Sequence, residues 1–135
     1  MLPIETELSI LIHLAKADGF ISHEELEIIQ RLGLENNLST EQVNDLVENE
    51  NSIAVFQNLS LDDRIELLIS MIKLMKRDNK IHQKEINFCQ KIALQLGFGT
   101  GVIAKLSAYI FASDQINTDP DVLIKMATKF YSENN

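Results

Sequence analysis

Apolar residues recur at three- and four-residue steps along most of this chain, the mark of helices that bury one face. Leu8, Leu11, Ile12 and Ala15 set such a stripe in a helix over about 4–17. Leu68, Met71, Ile72 and Met75 set the same stripe over about 62–77. The likeness extends well beyond these two stripes. Displaced by 60 positions, Leu14–Glu25 (LAKADGFISHEE) lies over Leu74–Glu85 (LMKRDNKIHQKE) without a gap. Identical pairs are Leu8/Leu68, Ile12/Ile72, Leu14/Leu74, Lys16/Lys76, Asp18/Asp78, Ile21/Ile81, Glu25/Glu85, Gln30/Gln90 and Thr40/Thr100. One unit of this size is too small to close a core alone, so the two copies are expected to bury their apolar faces together.

Each copy carries the same local signals. The first helix stops at Asp18-Gly19 in one copy and at Asp78-Asn79 in the other. Glycine enters the left-handed backbone region freely and asparagine is among the next most tolerant residues, so one turn shape is predicted for both. The second helices start at Ser22 and His82 and run to about 35 and 96. Ser22 is a good N-cap, Glu25 sits at the third helical position, and Ile21 with Leu26 forms a hydrophobic staple. Third helices follow over about 40–50 and 100–112, the first opened by Ser39 with Gln42. Asp119-Pro120 opens a last helix over about 120–132. The expected fold is all-α: a compact bundle of about seven helices with an internal duplication, one domain over 1–135. Its repeat units cover about 4–50 and 62–112.

Composition narrows the class. A chain of 135 residues, 45% hydrophobic, with two prolines and five glycines, is neither disordered nor membrane-spanning in character. The single cysteine, Cys89, forms no internal disulfide, and Met1–Glu5 lacks the basic segment of a signal peptide. A cytoplasmic protein with no membrane insertion is the expectation. The net charge of −8 is unevenly placed. Residues 1–66 hold 14 acidic and 3 basic side chains, and residues 67–135 hold 6 acidic and 9 basic. Six of those basic groups, Lys73, Lys76, Arg77, Lys80, Lys84 and Lys91, fall within 19 residues. Such a split serves ordinary solubility, or else suits a protein partner, or a homo-oligomer, that meets the chain acidic side to basic side. Nucleic acid is disfavoured, because most of the surface would repel phosphate.

The chemistry-bearing residues are few. Asp-Gly-Phe-Ile followed by Glu25 has the spacing of the back half of an EF-hand loop. With Gly19 at the loop's sixth position, however, the first and third positions are Leu14 and Lys16, which bring no carboxylate. The second copy offers Leu74 and Lys76 there. A different site would gather Asp18, Glu25, Asp78 and Glu85, with Glu24 beside them, as hard oxygen ligands for calcium or magnesium. Against it, the aspartates suit turn amides and the glutamates suit helix starts. Lys80 and Lys84 would also compete with a cation in the second copy. Histidines 13, 23 and 82 have no zinc spacing with Cys89, which reads as a buried, inert thiol. Leu-Gly-Phe-Gly-Thr-Gly at 96–101 lacks the lysine of a phosphate loop and reads as a helix–helix connection.

Residues 14–25 and their echo at 78–85 (DNKIHQKE) resemble the tellurite-resistance TerB-like family, whose superfamily includes the N-terminal domain of the co-chaperone DjlA. The resemblance implies a compact domain of about seven helices with internal duplication. It also implies acidic residues that coordinate divalent cations, here Asp18 and Glu25 with Asp78 and Glu85, and links to stress operons and membrane-associated complexes. Asn79 replaces the motif's glycine in the second copy. The leading functional expectation is a non-enzymatic interaction or scaffold module with a divalent cation. The alternatives are a metal-dependent hydrolase using clustered carboxylates, and a purely structural protein-binding domain without metal.

Overall fold

The computed structural model describes residues 2–16, 19–49, 59–77, 83–112 and 119–131, with the side chains of 75–77 left out. Among these residues it is an all-α structure of seven helices. They are α1 Ile4–Ala15, α2 His23–Glu35, α3 Thr40–Glu48, α4 Leu61–Arg77, α5 Gln83–Gln95, α6 Val102–Ala112 and α7 Pro120–Thr128. None of the described helices is long and apolar enough to cross a membrane.

The chain divides into two compact units, Met1–Ser60 and Leu61–Asn135. In the first, α1, α2 and α3 each pack against the other two. In the second, α4, α5 and α6 form the same mutually packed triangle, and α7 adds to α4 and α6. The duplicated pattern of contacts is the duplication expected from the sequence. Leu8, Leu11, Ile12 and Leu14 of α1 are buried, and so are their counterparts Leu68, Met71, Ile72 and Leu74 of α4. Each such aliphatic side chain, moved from water to the interior, stabilises its unit by about 1.5–3 kcal/mol.

The repeat is tightest at α2 and α5, whose first and last residues differ by the same 60 positions. The two helices also stop in the same way. The amide of Leu38 donates to the carbonyl of Gly33 at 2.9 Å, and that of Asn37 to Leu34 at 3.2 Å. Sixty residues on, Phe98 donates to Ala93 at 3.0 Å and Gly97 to Leu94 at 3.1 Å. This is the paired-bond Schellman ending, which satisfies the last orphan carbonyls and needs a left-handed residue just past the helix. Asn37, at φ 69°, and Gly97, at φ 101°, fill that place.

Two departures from expectation have clear causes. The third helix of the second copy starts at Val102 rather than near 100, because Gly101 adopts φ 94° and is not yet helical. Its counterpart α3 starts at Thr40 behind a complete capping box of Ser39 and Gln42. The last helix stops at Thr128, short of the expected 132. There the chain turns back, the carbonyl of Phe130 accepts from the amide of Gly99 at 2.7 Å, and Tyr131 forms an antiparallel bridge with Phe98. The Phe98 and Tyr131 rings meet at 5.3 Å in a tilted arrangement. Ring contact plus a paired amide hold residues 130 and 131 against residues 98 and 99.

Candidate interaction surface

The expected acidic ligands occupy unlike surroundings. Glu25, half-buried at the third position of α2, accepts from the amide of Ser22 at 3.0 Å, while Ser22 Oγ accepts from the amide of Glu25 at 3.1 Å. One carboxylate oxygen is therefore engaged in holding the helix start. Glu24 is half-buried on the same first turn. Glu85, the repeat counterpart of Glu25, is buried in the first turn of α5. Asp18 and Asp78 lie outside the described residues, as do Lys80, His82 and the Asn79 turn; Gly19 does take a positive φ of 103°. Among the described residues no three His, Cys, Asp or Glu side chains stand where they could hold a metal ion.

Cys89 is buried one helical turn beyond Glu85. Burial, and then the Glu85 carboxylate, push its thiol from 9.0 up to about 12. A nucleophilic thiolate is thus disfavoured twice over at neutral pH. His23 is exposed and sits 3.0 Å from Glu27, one turn on along α2. Lys16, at the end of α1, sends its ammonium 2.5 Å to the carbonyl of Val47 and so ties the end of α1 to the end of α3. Glu25 and Lys16 thus each have a local structural task.

The distinctive surfaces belong to the α2–α3 and α5–α6 hairpins. Residues 23–48 carry seven acidic side chains (Glu24, Glu25, Glu27, Glu35, Glu41, Asp45, Glu48) and one arginine, Arg31. Residues 83–112 carry Lys84, Lys91 and Lys105 against one carboxylate, the buried Glu85. In the basic run found by sequence, Lys73 and Lys91 are half-buried and Lys84 is exposed; the side chains of Lys76 and Arg77 are not described. Lys105, outside that run, joins the basic face from α6.

Each hairpin also leaves one leucine in water. Leu34 is 53% exposed and Leu94 56% exposed, and the two are repeat counterparts. Single exposed leucines are ordinary, but the same one in both copies is a patterned feature. Beside Leu94 lies a groove of about 150 Å³ between the end of α5 and the start of α6. Gln90, Ala93, Leu94, Val102 and Ile103 line it, with Gly99, Thr100 and Gly101 along its edge. Drug-sized ligands occupy pockets of roughly 300–1,000 Å³, so this groove suits an inserted side chain better than a metabolite. Sequence reading found the charge split but missed the leucines, because a leucine at a helix end looks like one more core position. Their one available signal was that positions 34 and 94 align.

Comparison with protein-family models, with characterised proteins and with solved structures finds no match to this chain.

Proposed function

We propose that this chain is a non-enzymatic protein-interaction module whose two helical hairpins are its binding faces. One observation carries the reading: a single backbone plan, used twice, gives an acidic hairpin with exposed Leu34 and a basic hairpin with exposed Leu94. An exposed leucine on a charged hairpin gives apolar contact area, while the net charge of the hairpin selects the partner and speeds encounter. The TerB-like resemblance of residues 14–25 and 78–85 fits this reading and adds a divalent cation at the Asp18–Glu25 corner as part of the proposal.

The test places a photo-cross-linking residue at position 34, at position 94 and, as a control, at the exposed Thr128, in the intact chain inside cells. Cross-links to protein concentrated at 34 and 94 are expected. Yields at both positions no higher than at 128 would remove the reading.

A further inference from the structure

We propose that the occupant of the α5–α6 groove is a second copy of this chain, docking by its acidic α2–α3 hairpin with Leu34 as the inserted side chain. The inference rests on the interaction reading above and names its partner. Charge complementarity selects this occupant. Lys91 precedes Leu94 by three residues and Lys105 follows Val102 by three, so both lie on helix faces that border the groove. On the other hairpin, Asp45 is the repeat counterpart of Lys105 and Glu24 that of Lys84, while Arg31 answers Lys91, so the hairpins are opposite in net charge but alike at that one place. In the proposed complex the acidic hairpin of one copy lies on the basic hairpin of the other, with Asp45 near Lys105 and Leu34 seated beside Leu94.

The contact is heterologous: each copy spends its acidic hairpin on one neighbour and keeps its basic hairpin for another. The mass of the purified chain in sedimentation velocity therefore rises with concentration. The rise weakens as salt increases from about 50 to about 500 mM, because exposed charge pairs are screened. Leu34→Ser and Leu94→Ser, each checked for unchanged helix content, lose association by about tenfold or more. An equimolar mixture of these two variants regains dimers and nothing larger, since one intact acidic and one intact basic hairpin remain between them. Asp45→Lys and Lys105→Asp weaken association singly, and the double variant restores it.

A parent chain that stays monomeric at millimolar concentration and low salt overturns the proposal. Association unchanged in both leucine variants does the same, by assigning it to another surface. Cross-links from positions 34 and 94 to other proteins, together with a monomeric purified chain, would sink self-docking while leaving the interaction reading standing.

Discussion

On α3 of the first unit stands Asp45, and sixty residues later, on α6, stands Lys105. The same exchange turns Glu24 into Lys84, while Glu27, Glu35, Glu41 and Glu48 become Asn87, Gln95, Gly101 and Ala108. Beneath these surfaces α2 and α5 keep one length, one ending and one pair of closing hydrogen bonds. The difference teaches that in this chain backbone plan and surface chemistry vary separately. Core positions and helix endings hold the plan, and solvent-facing positions carry the difference in charge.

The two hairpins also close differently. In the first, an added Cβ at Gly33 would lie 2.5 Å from Val43 Cγ2, so α2 and α3 approach as closely as a bare backbone allows. In the second, Ala93 and Ile103 stand at the matching positions and both line the groove. Past the helix end, the first hairpin has half-buried Leu38, whereas the second has fully buried Phe98 held against Tyr131.

The strongest way to break this comparison is at that last pair. Phe98→Ala should cost about 3–5 kcal/mol in urea unfolding, and Leu38→Ala less than about 2 kcal/mol. Equal losses would show the two endings to be energetically alike. Next come the left-handed residues. Gly97→Ala forces a side chain into φ 101° with its Cβ 3.0 Å from the Tyr131 ring, at a cost of about 1–2 kcal/mol from the backbone alone. Asn37→Gly should stay within about 0.5 kcal/mol of the parent, since glycine accepts that conformation at least as well.

A smaller effect is expected at the close approach. Gly33→Ala gains about 1 kcal/mol of helix propensity but overpacks against Val43 by about 1–3 kcal/mol, for a net loss near 1 kcal/mol. Adding Val43→Ala should relieve the overpacking, read as a coupling energy in a double-mutant cycle. The last comparison concerns the α2 start. Ser22→Ala should cost about 1 kcal/mol, while Glu25→Gln, which still accepts from the Ser22 amide, should leave Tm nearly unchanged. A calcium- or magnesium-dependent rise in Tm that Glu25→Gln removes would assign this carboxylate to a cation as well as to the helix.

What the sequence revealed follows physical range. The caps at Ser22, Ser39 and Asp119, and the stops at 36–37 and 97, are decided within a few residues, and all were legible. The 60-residue register was legible because apolar stripes repeat wherever core positions repeat. The return of residues 130 and 131 onto Phe98 and Gly99 was not, since it joins segments 32 residues apart and leaves no periodic trace. Nor was the burial of Glu85, whose identity with Glu25 suggested an identical role. Charge could be counted from the sequence, but its division between two matching hairpins required knowing which helices pair.

The backward turn at the end of the second unit has a practical corollary. Lys129 is exposed and immediately precedes Phe130 and Tyr131. A trypsin-like protease cutting there would carry off, in one clip, the carbonyl that receives the Gly99 amide and the ring that shields Phe98. The cut protein would keep all seven described helices yet show an oily aromatic at its surface, so a single cleavage would register as a change in solubility.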